Sequence, residues 1–339
     1  MRRMPALLAA VSLLGLTAAA SADTKDAKIA FSNNYAGNSW RQAMLKSYDA
    51  ETKKAVADGA VAAADVFTTA DKEVPTQAAQ IQNLILQGYN AIVINASSPD
   101  ALNGAIKQAC DAGIVVVSFD GIVTEPCAYR VVVDFKAMGQ QEVEFLAKQM
   151  PKGGNLLEIR GVAGTSIDDA IHVGIVEGVK KYPQFKLVNS VEGDWDQTTA
   201  QKAVTTVLPS LPEIAAVADQ GGDGYGAAQA FKTAGRPTPL IIMGNRQDEL
   251  QWWKEQKAAN GYKTWSASIA PGVSTLAFWV AQQVLDGRKD IPHDLLVPYL
   301  EFTQDNFEAA LPKIPVGGVA SAEYTLEDAK KAIDANIKK

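Results

Sequence analysis

Histidine and cysteine are scarce in this 339-residue chain, with two of each. His172 and His293 stand apart from any ligand-spaced cluster, so no metal centre is expected. No block of basic residues occurs; 32 Lys and Arg face 38 Asp and Glu, for a formal net charge of −6. A phosphate backbone calls for clustered cations, so nucleic acid is not an expected partner. Gly and Pro are unremarkable at 26 and 15 residues, and 47% of the chain is hydrophobic. That balance excludes disorder, collagen and coiled coil as the main state. No G-x-S-x-G nucleophile elbow is present, and Gly161-Val-Ala-Gly-Thr-Ser166 lacks the lysine of a P-loop. Neither low-complexity linkers nor solenoid-length repeats appear. Beyond the first twenty-odd residues no apolar run is long enough to span a membrane.

The beginning of the chain has a different character. Arg2 and Arg3 precede an apolar run of about 15 residues from Pro5 to Ala20, and Ala20-Ser21-Ala22 supplies an A-x-A site. Residues 1–22 are therefore expected to be a signal peptide, cleaved after Ala22. No cysteine sits near the cut, so a lipid anchor is not indicated. The mature protein is expected free in a bacterial periplasm. In that oxidising space Cys110 and Cys127 are expected to form a disulfide rather than remain two buried thiols.

The mature sequence alternates short Val- and Ile-rich runs with amphipathic stretches. Residues 28–33, 61–67, 90–95 and 114–119 are predicted strands. Val74, Ala78, Ile81, Leu84 and Ile85, spaced by three and four, mark a helix between two of them. The rhythm resumes after Asp134, with strands over 155–159, 185–191, 214–219 and 239–243. Helices begin near Ser166, Asp196 and Asp223. The last third reads as a strand over 264–269, a helix over 273–285, a strand over 295–300 and a terminal helix over 325–338. Thr325 and Asp328 form a capping-box pattern at the start of that final helix. Two successive α/β units result, each with a parallel sheet.

Open α/β sheets bind ligands beyond the carboxyl ends of their strands. The residues found there are rich in Asn, Asp, Arg, Ser and Trp. Amides and carboxylates pair with adjacent hydroxyls, and an indole face packs on C–H groups, so the mixture suits a polyhydroxylated ligand. Four segments in order, Ile92-Val-Ile-Asn95, Val117-Ser-Phe-Asp120, Gly161-Val-Ala-Gly-Thr-Ser166 and Asp194-Trp195-Asp196, resemble the periplasmic sugar-binding proteins of ABC importers, in their ribose- and galactofuranose-type branch. The resemblance covers nearly the whole mature chain. It implies a type I periplasmic-binding-protein fold: two Rossmann-like lobes, joined by three crossings, that close on ligand. Here the crossings fall near Val133, Ile269 and Val297. The N-terminal lobe then comprises residues 23–133 plus 270–297, and the C-terminal lobe 134–269 plus 298–339.

Carried over by position, the resemblance implies ligand contacts from Trp40, Arg41, Asn95 and Asp120 in the first lobe and Trp195 in the second, with Asp169 aligned beside them. Asn38 in the first lobe, and Asp223, Arg246 and Ser268 in the second, are added as candidates by their place after predicted strands. Trp40 and Trp195 would sandwich a sugar ring; the plainer alternative is core packing. Trp252 and Trp253, within a helical pattern, are expected to pack or to make a lobe contact. Of Asp168 and Asp169, one is expected to reach ligand and the other to cap a helix, with Asp169 the contact. Arg41 has the alternative of a solvated helix residue, and Arg246 that of pairing with Asp248 or Glu249. Departures from the ribose branch include Asp169 in place of its Arg, Gly221-Gly222 in place of its Asn-Asp, and Gly244-Asn245-Arg246 in place of its Gly-Phe-Asp. These leave ribose itself disfavoured.

The implied function is capture of a monosaccharide or small polyol, a furanose being one candidate, by a monomer that delivers it to an ABC permease, with no catalysis and no cofactor. One alternative is an amine-bearing or other small polar solute, received by Asp169, Asp219 and Asp223. Another is an exported nicotinamide oxidoreductase, suggested by the G-x-G-x-x-A pattern Gly222-Asp-Gly224-Tyr-Gly226-Ala227.

Overall fold

The computed structural model describes residues 24–337. The expected signal peptide and its cleavage site lie outside the described residues. The chain begins with β1 (Lys28–Asn33), α1 (Ser39–Ala57), β2 (Ala63–Thr68), α2 (Val74–Leu86), β3 (Ala91–Asn95), α3 (Asn103–Asp111), β4 (Val115–Phe119) and β5 (Tyr129–Val132). It continues through α4 (Phe135–Gln149), β6 (Gly154–Arg160), α5 (Ser166–Lys181), β7 (Phe185–Glu192), α6 (Gln197–Val207), β8 (Ala216–Asp219), α7 (Gly224–Thr233), β9 (Leu240–Ile241) and α8 (Gln247–Asn260). The last part holds β10 (Ser266–Ser268), α9 (Val273–Leu285), β11 (Asp294–Leu296), β12 (Leu300–Phe302), α10 (Phe307–Ala310) and α11 (Leu326–Ile337).

Two parallel sheets organise these elements. The first has the order β11-β5-β4-β3-β1-β2 and the second β7-β6-β8-β9. Every residue of β3 is buried, as a strand covered on both faces requires. Helices α2 and α3 cover one face of the first sheet, and α9 packs on β3, β4 and β5 from the other side. Helix α9 is buried at every position from Val273 to Gln283. A helix apolar on all sides belongs in a core.

The sheets also show where the chain passes between the two halves. β5 belongs to the first sheet, whereas the next helix, α4, packs on α5 beside the second. β10 pairs with β12, α9 returns to the first sheet, and β11 pairs with β5.

Residues 295–300, expected as one strand, are two strands in different sheets, β11 and β12. Pro298 lies between them and has no N–H to give either ladder. Among the elements that escaped the sequence pattern are β5 and α4. The four residues of β5 are too short to show alternation, and Gly139 sits mid-helix in α4, where glycine weakens a helical signal. Its reason is tertiary: a methyl group at Gly139 would strike the Ile171 carbonyl, and one at Gly174 the Lys136 carbonyl. The paired glycines bring the backbones of α4 and α5 together.

Cys110 and Cys127 are bonded, with Cα atoms 6.4 Å apart. The link ties the end of α3 to the segment before β5 and closes 17 residues, worth about 3 kcal/mol by chain entropy. The terminal capping box is reciprocal: Asp328 N–H donates to Thr325 Oγ1 at 3.3 Å, and Thr325 N–H to Asp328 Oδ2 at 3.1 Å.

Candidate ligand-binding site

Each sheet reverses its strand order beside its first strand, β1 next to β3 and β6 next to β8. Such switch points open a crevice beyond the carboxyl ends of the strands. Here the two crevices face one another across one shared cavity. Asn38, Trp40, Arg41 and Asp120 line it from the first half. Trp195, Gln220, Asn245, Arg246 and Ser268 line it from the second, with Phe135, Met138, Ile167 and Ile171 of α4 and α5.

On the first side, Asn38 caps α1: its Oδ1 accepts the Arg41 N–H at 2.8 Å. The cap fixes the first turn, so Trp40 and Arg41 follow one another into the cavity. The Trp40 indole N–H donates to the Ile269 carbonyl at 2.8 Å, tying the start of α1 to the β10–α9 connection. Arg41 Nη2 lies 3.3 Å from Asp120 Oδ2. Its buried Nη1 has no protein partner, so a donor is left for a guest. Asp120 adopts φ 56°, a left-handed conformation that Asp tolerates better than most residues. Asn95 holds it there, donating Nδ2–H to Asp120 Oδ2 at 2.9 Å and accepting the Gly121 N–H on Oδ1 at 3.2 Å.

The second side depends on two glycines. Asp194 and Trp195 both have positive φ, 55° and 54°, a strain of about 1–3 kcal/mol each that packing must hold. The Trp195 indole lies over Gly161, where any Cβ would overlap it. Arg246 lies over Gly222 in the same way. Its Nε donates to Ser39 Oγ at 2.9 Å and its Nη2 to the Trp195 carbonyl at 2.7 Å. One guanidinium therefore joins the first half to the second at the cavity edge. Gln220 is fixed by Asp168, donating to its carboxylate at 2.9 Å and accepting the Gly161 N–H at 3.0 Å.

Burial shapes the charges. It pushes the Asp120 carboxyl up to about 6, with Arg41 opposing the shift. Behind the cavity, Asp219 and Asp223 are buried without side-chain hydrogen-bond partners. Burial holds both well above the usual carboxylate range. The Glu249 charge adds to this for Asp219 and the Asp219 charge for Asp223, while Arg246 opposes both. A pH dependence follows from Asp120. Hydroxyl donors need its ionised form, so affinity is expected to hold above about pH 6. Below that it should weaken, approaching about tenfold per pH unit. Titration calorimetry between pH 4.5 and 8 measures this; constant affinity would remove Asp120 from direct contact.

Several expected contacts lie elsewhere. Asp169 is 67% exposed and faces Arg160, away from the cavity. Asp168 is the buried member of the pair, held by two Arg160 nitrogens at 3.1 and 2.6 Å, and Thr165 rather than either aspartate caps the helix. Arg160 at the end of β6 draws both carboxylates to itself. Asp223 is buried behind Gly193, and Asn95 reaches the cavity only through Asp120. Asp120 is thus the one carboxylate among the lining side chains, and the acids proposed to receive an amine stand outside. Arg246 makes its side-chain bonds to Ser39 and Trp195 rather than to Asp248 or Glu249. Trp252 packs on Tyr262 and Trp253 stacks on Phe307, as expected.

Gln220 and Asn245 were within reach of sequence reasoning, since both sit in the post-strand segments. Phe135, Met138, Ile167 and Ile171 gave no such signal. The dinucleotide-like glycines follow a strand and open a helix, but Gly222 is covered by Arg246. The helix start is already served by Glu249, which accepts the Gly224 N–H at 3.1 Å. A pyrophosphate there would meet buried carboxylates. Among the described residues no group of His, Cys, Asp and Glu is arranged to hold a metal ion, and no helix is long and apolar enough to cross a membrane.

A family model for the periplasmic binding protein domain matches residues 29–289. The chain belongs to the periplasmic binding protein family. Members of this family are solute-binding proteins, not enzymes. This periplasmic binding protein is similar in structure to an ABC transporter solute-binding protein from Thermobispora bispora, with a TM-score of 0.86 and 34% identity over 92% of this chain and 96% of that one. A xylitol-binding protein of Mycolicibacterium smegmatis is 28% identical over 258 residues, 74% of this chain and 71% of the relative. The ribose import binding protein of Salmonella typhimurium is 26% identical over 214 residues, 62% and 71% of the two chains. Sugar and polyol binding proteins of ABC transporters are thus the relatives of this periplasmic binding protein.

Proposed function

We propose that the protein captures a monosaccharide or small polyol between two lobes and hands it to an ABC permease of the inner membrane. The lobes comprise residues 23–133 with 270–297, and 134–269 with 298–339. The mature chain, released by cleavage after Ala22, works in the periplasm as a monomer. The observation that carries this reading is the convergence of Trp40, Arg41 and Asp120 with Trp195, Asn245 and Arg246 on one cavity. The indoles offer apolar faces to a ring's C–H groups, while the guanidinium, carboxylate and amide groups serve its hydroxyls. An empty cleft is wet and its lobes part readily; a guest that touches both shifts the population to the closed form. The closed surface is then what a permease recognises.

A thermal-shift screen of the mature protein against pentoses, hexoses, polyols and small amines tests the reading. Stabilisation by a sugar or polyol is the expected result, and stabilisation by amines alone would overturn it. Trp195→Ala is expected to weaken binding at least tenfold, about 1.4 kcal/mol, while the protein stays folded. Unchanged affinity in titration calorimetry would remove Trp195 from the site.

A further inference from the structure

The proposed reading accounts for the hydroxyl-binding groups but leaves one wall of the cavity unexplained. Phe135 and Met138 lie three apart in α4, and Ile167 and Ile171 four apart in α5, so each pair shares a helix face. All four line the cavity. The glycine contacts at Gly139 and Gly174 lock the two helices together, so the wall is rigid. Neither helix brings a side-chain donor or acceptor to the cavity. Trp40 and Trp195 line the cavity from its two sides and offer the apolar surface that a ring's C–H groups need. A fully hydroxylated sugar would have to point part of its polar rim at this wall, and a hydroxyl buried there finds no side-chain partner.

We infer that the preferred ligand is a deoxy sugar or deoxy polyol, with a methyl or methylene edge seated on Phe135, Met138, Ile167 and Ile171. This rests on the sugar-binding reading above and narrows its substrate class. The polar end of the same ligand meets Arg41, whose buried Nη1 is unpartnered, together with Asp120 and Asn245. The wall gains from burying the methyl group and penalises the hydroxyl that replaces it.

The test is titration calorimetry of the mature protein with matched pairs: D-fucose and D-galactose, L-fucose and L-galactose, L-rhamnose and L-mannose, with D-ribose and xylitol as fully hydroxylated references. At least one deoxy sugar is expected to bind about tenfold or more tightly than its hydroxylated partner. In Ile171→Thr, and independently in Met138→Gln, that ratio is expected to shrink toward one. The second variant covers the case in which the first does not fold. If a hydroxylated sugar or polyol binds as well as or better than every deoxy sugar, or if the ratio survives in folded variants, the inference falls and the sugar-binding reading stands. If none of these compounds binds, the sugar-binding reading falls with it.

Discussion

Asp120→Ala is expected to lower the free energy of unfolding by about 3 kcal/mol, the low end for breaking a buried ion pair, and to abolish measurable sugar binding. Two effects combine. Arg41 is 4% exposed, and removal of its carboxylate partner leaves a guanidinium buried beside an Asn95 NH₂ that has lost its oxygen acceptor. Ala also tolerates the left-handed backbone at this position less well than Asp. Asp120→Asn separates these effects. It keeps the backbone conformation and an oxygen for Asn95, but leaves Arg41 without a counter-charge. Adding Arg41→Met to Asp120→Asn should recover much of the stability and none of the binding. Urea denaturation and titration calorimetry of the three variants measure this. A stable, fully binding Asp120→Ala protein would show that the pair is incidental to the site.

The second large effect is expected from Gly222→Ala. Gly222 has φ 102°, which an L side chain adopts only with strain of about 1–3 kcal/mol. The added methyl group would also occupy the place of the Arg246 guanidinium. Displaced, Arg246 loses both Ser39 and the Trp195 carbonyl, and with them its hold on the two halves. A fall of several degrees in melting temperature and at least tenfold in affinity, about 1.4 kcal/mol, is expected. Gly235→Ala is the comparison: Gly235 has φ 63° and open space around it. That change should cost stability alone. Equal loss of affinity in both variants would show that strain, not Arg246, is responsible.

The sequence reveals the fold where composition and topology agree. Strands β3 and β4 are dominated by Val, Ile and Ala, and the Val273–Leu285 helix has its predicted bounds because it is strongly apolar and buried on every side. Post-strand positions then locate Trp40, Arg41, Asp120, Trp195 and Arg246 around one cavity without further information. Two kinds of information are missing from the chain. Which of two neighbouring carboxylates turns inward depends on a third residue, and Arg160, at the end of the preceding strand, decides it for Asp168 and Asp169. An apolar pair such as Ile167 and Ile171 looks the same whether it faces a core or a cavity. Only the approach of α4 to α5, set by two glycines, tells them apart.

The return of the chain to its first sheet has a consequence for how the protein is made. β11 and α9 are supplied by residues 273–296, so the whole second sheet is synthesised before the first half owns all its parts. Until then the nascent polypeptide carries a sheet with one edge strand missing and one face only partly covered, by α1. Closing so long a loop is slow compared with pairing neighbours in sequence. Truncation before residue 273 leaves neither half whole.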